Sequence, residues 1–373
     1  MDHQYWQIGF IVNPIAGMGG LVGLKGTDGP TILRKALRRG ATPVAPSRAT
    51  RFLLQLRPIK DKITLFVGAG VMGEIYAKEQ GYRITVLGTK HEGQTTAQDT
   101  KNTVKEMVER KVKIVIFCGG DGTARDILAS IGQSVPILGV PTGVKMQSAV
   151  FANDPNAAAR IILRYLWNEL SLKETEIMDI DEEDYRKGHL SAKLYGYAIT
   201  PFEPALIQGS KQASIMTNDE LRNQAAIAIY VIEEMQHSTL YIVGPGTTTR
   251  TIGDLLEQKK TLLGVDLFYD KRILASDVTE AVILKHIKNK SVKIIVTPIG
   301  GQGFIFGRGN QPISSRVIQR VGKANILVIA TKNKVRQLST LRVDTGDPEV
   351  DDALRGYIRV ITDYREEHVM KVE

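Results

Sequence analysis

The pentapeptide Gly119-Gly120-Asp121-Gly122-Thr123 carries the clearest chemistry in the sequence. Glycines let a backbone approach a ligand closely, and amide groups at the start of a following helix bind anions. The carboxylate of Asp121 among such amides suits a proton acceptor for an attacking hydroxyl, or a magnesium-linked role. Thr123 can cap the helix or donate its hydroxyl to a phosphate. The alternative is a strand-to-helix turn in which Asp121 is only the N-cap.

The first glycine loop of the chain reads Asn13-Pro14-Ile15-Ala16-Gly17 and follows the first strand-like run. It lacks the Gly-Lys-Ser/Thr ending of a Walker A loop, and its glycines do not have the spacing of the dinucleotide-binding fingerprint. By itself it is either a phosphate loop or an ordinary glycine turn. Two glycine loops after two strands of one sheet indicate a phosphate site more strongly than either loop alone.

Three later loops carry side chains that suit a phosphate or a ribose. The loop at 140–148 holds Lys145, which is either a compact charge that steadies a phosphate or a solvated surface lysine. The loop at 243–250 offers three hydroxyls and one guanidinium, those of Thr247, Thr248, Thr249 and Arg250. The loop at 297–303 is rich in glycine, and Arg308 follows it. Each of the three can also be a structural turn.

The sequence lacks the residue patterns of zinc sites and of serine hydrolases. The six histidines are scattered and the single cysteine, Cys118, has no second cysteine to join, so no zinc-ligand spacing is present. The Gly-x-Ser-x-Gly elbow of serine hydrolases is also absent. We expect Cys118 to be an inert buried thiol at the end of a strand.

Alternating strands and helices must position the first loops. Strands are predicted at 8–12, 63–67, 83–87, 112–118 and 136–140, with helices at 71–80, 95–110 and 124–131. This alternation is typical of a doubly wound α/β domain, a parallel sheet with helices on both faces, which we place at residues 1–150. In such sheets ligands bind at the loops that leave the carboxyl ends of the strands.

After about residue 150 the pattern changes to shorter strands. A helix is predicted at 155–170, and strands at 194–200, 225–232, 239–243, 294–298 and 326–330. We therefore predict a β-rich second domain over residues 151–313. The segment 314–373 is expected to rejoin the first domain.

Composition sets further limits. The 373 residues include 49 Lys and Arg against 40 Asp and Glu, a formal charge of 49 − 40 = +9. The basic residues are dispersed and only 6% of the chain is aromatic, so we expect no nucleic-acid partner; the charge suits a solvated surface or ligands with several phosphates. No apolar run approaches the roughly 18 residues of a membrane helix, and no leader pattern opens the chain. With one cysteine, these features favour a cytoplasmic protein without a membrane partner.

The order of these loops resembles that of the NAD kinase superfamily, and most of all its ATP-NAD kinase-like or AcoX-type branch. In the superfamily an Asn-Pro-x-x-Gly loop follows the first strand and Gly-Gly-Asp-Gly-Thr follows a later one, as at 13–17 and 119–123 here. Residues 244–249 are similar to the family's Thr-Pro-Thr-Gly-Ser-Thr loop, and 295–299 to its Thr-Pro-Ile segment. The family's acidic Asn-Glu or Asn-Asp pair, and the tyrosine of its threonine-rich loop, have no secure match in this chain.

The resemblance implies a kinase that moves the γ-phosphoryl group of ATP to a hydroxyl, with NAD as the acceptor at the 2′-hydroxyl of its adenosine ribose. Asp121 would accept the proton, and Mg²⁺ would bridge the donor phosphates with no metal ligand assigned in the chain. The phosphate cradle would comprise Asn13, Gly17, Gly119, Gly120, Gly122 and Thr123. The acceptor would be bound by Thr142, Gly143, Lys145, Thr247, Thr248, Thr249 and Arg250. The family also implies a homo-oligomer that acts on small-molecule substrates.

Two alternatives stay open. The acceptor can be another hydroxyl compound, such as a sugar, a polyol or a lipid. The protein can also be a nucleotide-binding regulator without activity, because a fold does not guarantee catalysis. The carboxylate of Asp121 argues against a regulator, because a pure sensor does not need a carboxylate beside phosphates.

Overall fold

The structure is a computed structural model that describes residues 5–22, 24, 30–89, 95–143, 146–180, 192–203, 206–207, 218–299 and 302–373. Its internal contacts divide the chain into two compact units. The first comprises Met1–Met18 and Gly26–Ser210, and the second comprises Gly19–Lys25 and Lys211–Glu373.

A parallel sheet forms the centre of the first unit. Its strands are β1 (Trp6–Val12), β2 (Ile63–Gly68), β3 (Ile84–Leu87), β4 (Ile114–Gly119) and β5 (Ile137–Pro141), all parallel, in the order β3-β2-β1-β4-β5. The strand order reverses between β1 and β4, and ligands of open α/β sheets bind at the loops that flank this point. These two loops are the ones that begin at Asn13 and Gly120.

Helices cover both faces of this sheet. They are α1 (Pro30–Arg38), α2 (Ala45–Gln55), α3 (Glu74–Glu79), α4 (Ala97–Glu109), α5 (Asp121–Ile131) and α6 (Pro155–Leu166). Strand β4 sends Ile116 and Cys118 into the core shared with α2 and α6, and Val115 and Phe117 into the core shared with α4 and α5. A strand buried on both faces needs an unbroken apolar run, which is why 114–118 is the clearest strand in the sequence.

A hairpin completes the first unit. Strands β6 (Leu172–Ile180) and β7 (Ala192–Pro201) pair in antiparallel register, and Ile177 and Ala198 join the core of α4 and α5. Residues 151–210 therefore belong to the first unit, which extends well beyond the predicted boundary near residue 150.

The second unit contains a seven-stranded mixed sheet. Its strands, in the order β10-β9-β8-β11-β13-β15-β16, are β8 (Thr239–Val243), β9 (Asp266–Tyr269), β10 (Arg272–Ala275), β11 (Ser291–Val296), β13 (Ile326–Ile329), β15 (Gly356–Asp363) and β16 (Glu366–Val372). The four central strands are parallel, and the strands at both edges are antiparallel. A separate parallel pair joins β12 (Phe304–Phe306) to β14 (Arg342–Val343).

The helices of the second unit are α7 (Asn218–Glu233), α8 (Thr247–Leu255), α9 (Glu280–His286), α10 (Ser315–Val321), α11 (Lys332–Gln337) and α12 (Pro348–Leu354). The predicted fold class, an α/β first part with a parallel sheet and a strand-rich second part, is confirmed. The helices α8 to α12 were not predicted, and they connect the central strands by parallel crossovers.

Two local predictions differ from the structure. Residues 225–232, expected as a strand, lie in α7. The run of Ile, Tyr and Val looks strand-like, but the buried residues Gln224, Ile227, Ala228 and Val231 follow the spacing of one helix face.

The segment 314–373, expected to rejoin the first domain, stays in the second unit because β13 pairs with β11 and β15 pairs with β13. Within the described ranges, no helix has both the length and the apolar character required to cross a bilayer.

Candidate functional site

The first turn of α5 presents uncapped amide groups. Strand β4 ends at Gly119, Gly120 is the N-cap with extended backbone (φ −116°, ψ −171°), and no side chain of the described residues caps the helix. The first amides of a helix have no acceptor inside it, and the helix dipole adds positive potential there. The start of α5 is therefore suited to an anion such as a phosphate group.

The two glycines before α5 have different roles. A Cβ atom at Gly119 would lie 2.6 Å from the Cβ atom of Thr123, so this glycine is required by the packing of that side chain. A Cβ atom at Gly120 would meet no atom within 4 Å. The space beside Gly120 is open, and it lies where a ligand of the α5 amides would sit.

The loop after β1 is joined to the start of α5. The side-chain amide of Asn13 donates a hydrogen bond of 3.0 Å to the hydroxyl of Thr123, and the backbone amide of Asn13 donates to the carbonyl of Cys118. The predicted cradle residues of the two loops are thus in direct contact. The hydroxyl of Thr123 keeps its own proton to donate, because it accepts in this bond.

The loop after β5 joins the same place. Gly17 has φ +80°, and a Cβ atom there would lie 1.9 Å from the carbonyl oxygen of Thr142, so only glycine allows this close approach. The amide of Thr142 donates to the carbonyl of Gly119. Three loops, those after β1, β4 and β5, therefore converge at one edge of the parallel sheet.

Thr142 places an unused hydroxyl in this site. The residue is 6% exposed, and its Oγ1 atom has no hydrogen-bond partner among the described residues. A buried polar group without a partner costs free energy, and such groups need a reason to persist. A phosphate oxygen held at the edge of the sheet would satisfy this hydroxyl.

Asp121 is buried and holds the end of the loop after β5. Its two carboxylate oxygens accept hydrogen bonds from the backbone amides of Gln147, at 2.7 Å, and Ser148, at 2.9 Å. Burial raises the pKa of Asp121 from 3.8 to about 6, the hydrogen bonds from Ser148 and Gln147 offset part of this rise, and the charge of Asp179 adds to it. A carboxylate has about four lone-pair sites, and these hydrogen bonds leave at least one of them, so Asp121 can still accept a proton.

Three side chains near Asp121 were not predicted to have a role: those of Arg125, Asp179 and Ser148. Arg125, one turn along α5, forms a 2.7 Å ion pair with Asp179 of β6. The hydroxyl of Ser148 donates to the carbonyl of Met178, and the amide of Met178 donates back to that hydroxyl. These bonds fix the hairpin β6–β7 to the loop that Asp121 holds. The spacing of Arg125, four residues after Asp121, was the one available signal.

The remaining predicted residues of the first unit are less informative. Gly143 is half-buried beside Met146, where a Cβ atom would lie 3.3 Å from the methionine methyl carbon. Gly122 lies in the first turn of α5 and is half-buried. Lys145 falls outside the described residues.

The threonine-rich loop lies in the second unit, between β8 and α8. Gly246 is the N-cap of α8 with φ +130°, and no described side chain caps this helix either. Thr248 and Thr249 are buried, and Thr249 donates its hydroxyl proton to the carbonyl of Gly246. Thr247 and Arg250 are exposed, so two of the four predicted side chains face solvent.

The first unit thus combines an anion cradle with an acid. The amides of α5, the hydroxyls of Thr123 and Thr142 and the side chain of Asn13 can bind phosphate oxygens. Asp121 is a carboxylate at the same helix terminus with a pKa near neutral, the range in which a general base works best. The nine described candidates of this unit, from Asn13 to Gly143, converge, and those of the second unit lie between β8 and the first turn of α8.

Comparison with known proteins identifies the family of the chain. The model of the ATP-NAD kinase N-terminal domain matches residues 8–170, and the model of the ATP-NAD kinase C-terminal domain matches residues 238–372. Together they cover most of the chain. Searches of the curated proteins and of the solved structures found no match. The two models identify the superfamily and not the AcoX-type branch.

Proposed function

The chain belongs to the ATP-NAD kinase family, and from that premise we propose that it transfers the γ-phosphoryl group of ATP to the 2′-hydroxyl of the adenosine ribose of NAD. The observation that carries the proposal is the position of Asp121 in the first turn of α5. There a proton acceptor lies beside uncapped amides that suit phosphate oxygens.

Hydrogen bonds and electrostatic attraction would hold the phosphates of the nucleotide in position. The amides of α5 would donate to phosphate oxygens, with the open side of Gly120 as the route of approach. The Oγ1 atom of Thr142 would gain the partner that it lacks among the described residues. Phosphoryl transfer needs little covalent help from the protein, so binding and electrostatic stabilisation supply most of the catalysis.

The proton of the attacking hydroxyl would go to Asp121. The hydroxyl oxygen forms a bond to the γ-phosphorus, the bond from that phosphorus to the β,γ-bridging oxygen breaks, and ADP leaves. With a pKa of about 6, Asp121 is ionised at neutral pH and can accept the proton through a lone pair that its hydrogen bonds leave free. The amides of Gln147 and Ser148 keep the carboxylate oriented.

Magnesium would enter with the nucleotide. Among the described residues, no group of three His, Cys, Asp or Glu side chains is arranged to hold a metal ion. Magnesium commonly binds through substrate phosphates with one or two carboxylates and several waters, so it does not need a dedicated protein cage. When bound, it neutralises phosphate charge that develops during transfer. The donor set fits a nucleotide-borne ion, with Asp121 as the carboxylate in the first turn of α5.

An acceptor screen tests the proposal. The full chain is incubated with ATP, Mg²⁺ and one acceptor at a time (NAD, NADH, a sugar, a polyol or a diacylglycerol), and ³¹P NMR identifies the product. We expect a monoester on the adenosine ribose of NAD. Transfer to another acceptor with none to NAD would replace NAD by that acceptor, and no transfer to any of them would contradict kinase activity.

A matched pair of variants tests the role of Asp121. Asp121→Asn should lower turnover by about 100-fold or more, the range for loss of a general base. Asp126→Asn makes the same chemical change on the same helix, where the half-buried Asp126 pairs with Lys101, and should leave turnover within about twofold. Equal turnover in the two variants would remove Asp121 from the mechanism.

A further inference from the structure

A cleft of the second unit lies at the edge of the sheet where β11 and β13 begin. Its volume is about 380 Å³, within the roughly 300–1,000 Å³ of small-molecule sites. Ser291, the first residue of β11, and Asn325, just before β13, both line it. Because the central strands are parallel, the loops at 243–250 and 297–303 leave the opposite edge of the sheet. The cleft is therefore separate from those loops.

Helices α9 and α10 both end at this cleft. They also begin together, because Ser314 donates a hydrogen bond of 2.6 Å to Glu280 and Arg316 lies 4.0 Å from the same carboxylate. Ile287, which follows α9, and Val321, which ends α10, line the cleft and belong to the buried core beneath it. The packing of the unit thus fixes the floor of the cleft.

Three cations line the opening of the cleft. Lys288 and Lys290 flank Asn289, whose φ of +57° turns the chain between α9 and β11. Arg320 lies in the last turn of α10. All three cations are exposed and none forms an ion pair with a described residue. The Nζ atom of Lys290 lies 4.7 Å from the centre of the Tyr269 ring, a contact that orients the amine without neutralising it.

The ends of the two helices offset only part of this positive charge. A helix C-terminus carries about half of a negative elementary charge, so the two ends offset about one of the three positive charges. Asn325 donates a hydrogen bond of 2.7 Å to the carbonyl of Val321, so this carbonyl is satisfied without a cation. No Asp or Glu is among the described residues that line the cleft. The remaining positive charge favours an anionic ligand.

We propose that this cleft binds a small molecule that carries a diphosphate group. The guanidinium of Arg320 would bind phosphate oxygens in a bidentate manner, and the amines of Lys288 and Lys290 would act as compact charges. The hydroxyl of Ser291 would donate a further hydrogen bond. A diphosphate presents negative oxygens on two adjacent groups, which matches cations that come from two sides of the cleft. The inference does not rest on the proposed kinase activity.

The reactivity of lysine amines, with inorganic pyrophosphate as the probe, tests this site. The full chain is acetylated briefly with an N-hydroxysuccinimide ester in buffer without Mg²⁺, and mass spectrometry gives the rate at each lysine. The reference is NaCl at the same ionic strength, which screens charges equally. We expect pyrophosphate to slow acetylation of Lys288 and Lys290 about threefold or more, because a phosphate-bound amine stays protonated. Lys285 is exposed in the last turn of α9 but does not line the cleft, and its rate should stay unchanged. Equal protection of the three lysines, or no protection, overturns the proposal.

A matched pair of arginine variants makes the test specific. Arg320→Gln and Arg316→Gln each remove one positive charge from an exposed side chain of α10, but only Arg320 lines the cleft. In Arg320→Gln, we expect half-maximal protection to need about tenfold more pyrophosphate, the effect of losing one charge-assisted hydrogen bond. In Arg316→Gln the requirement should change by less than about twofold. Equal shifts in the two variants would mean that net charge alone attracts the anion, and they overturn the site.

Two controls separate this result from unfolding and from the α5 site. An unfolded variant would be acetylated faster at its buried Lys260, whereas loss of the site changes only Lys288 and Lys290. If Arg320→Gln unfolds, Arg320→Lys, which keeps the charge and loses the bidentate geometry, should still weaken protection severalfold, and unchanged protection overturns the role of Arg320. Protection of Lys288 and Lys290 should be the same in Asp121→Asn as in the wild type, whether or not the protein transfers phosphate to NAD. Protection that disappears in Asp121→Asn would come from the first unit and overturns the cleft as the binding site.

Discussion

The backbone amide of Ser148 donates a hydrogen bond of 2.9 Å to the carboxylate of Asp121. With the amide of Gln147 on the other oxygen, Asp121 connects the start of α5 to the end of the loop after β5. The residue that we propose as the proton acceptor is therefore also the anchor of a loop. The two roles are compatible, because the hydrogen bonds to the carboxylate leave it a lone pair for a substrate.

The raised pKa of Asp121 predicts how folding stability depends on pH. The pKa is 3.8 ordinarily and about 6 in the folded protein, mainly because of burial. Between these values the folded protein holds a proton that the unfolded chain has released, so stability falls as pH rises through this window. The whole shift corresponds to about 3 kcal/mol. Urea denaturation at pH values from 4 to 7 measures it.

A matched comparison isolates Asp121 in that measurement. Asp121→Asn cannot titrate, so its stability should lose this component of the pH dependence, while Asp126→Asn keeps it. If the difference in free energy of unfolding between wild type and Asp121→Asn is constant from pH 4 to 7, the pKa of the carboxyl is not raised by folding. The proposed base would then have the wrong pKa.

The two glycines before α5 predict a separation of stability from activity. Gly119→Ala places a methyl group 2.6 Å from the Cβ atom of Thr123 and should lower the free energy of unfolding by about 2 kcal/mol through overpacking. Gly120→Ala adds a methyl group in open space with permitted φ, so stability should change by less than about 1 kcal/mol. That methyl group would occupy the space of the phosphates.

Kinetics and thermal unfolding of these two variants check this prediction. We expect KM for ATP to rise about tenfold or more in Gly120→Ala, although the protein is folded. Normal kinetics in Gly120→Ala would show that the space beside Gly120 is not used by the nucleotide. Unchanged stability in Gly119→Ala would contradict the packing of Thr123.

The contact between Asn13 and Thr123 predicts energetic coupling. Their 3.0 Å hydrogen bond joins the loops after β1 and β4 across 110 positions of sequence. In a double-mutant cycle with Asn13→Ala and Thr123→Val, we expect a coupling energy of about 1 kcal/mol, the usual net worth of such a bond. Urea denaturation of the wild type, the two single variants and the double variant gives this value. Additive effects within about 0.3 kcal/mol would mean that the two loops are held together by other contacts.

The fold and the site were predictable where the signal is local. The run at 114–118 is apolar on both faces and is followed at once by glycines, so β4 and the start of α5 follow from the sequence. The prediction of a strand at 225–232 is wrong because the run of Ile, Tyr and Val hides the helical spacing of Ile227, Ala228 and Val231.

Local sequence patterns could not predict contacts between residues that are distant in sequence. The amides of Gln147 and Ser148 meet Asp121 across 26 and 27 positions, and the contact of Gly17 with Thr142 depends on the strand order. The sequence placed Asp121 among phosphate-binding glycines, but its pKa of about 6 follows from burial in the folded unit. Arg125 and Asp179 form their ion pair only because β6 crosses α5.

The unused hydroxyl of Thr142 gives the sharpest test of a ligand at the α5 site. Thr142→Val keeps the shape of the side chain and removes a buried group without a partner among the described residues, so the free protein should gain about 1 kcal/mol of stability. The same change should lower kcat/KM for ATP about tenfold, because a hydrogen bond to a charged phosphate is lost.

Thr200→Val is the matched control. Thr200 of β7 is also buried, and its Oγ1 atom also has no partner among the described residues, but it lies outside the three loops. It should give a similar gain in stability with unchanged kinetics. Equal kinetics in the two variants would mean that the Thr142 hydroxyl is unused because of packing, and that the phosphates are bound without it.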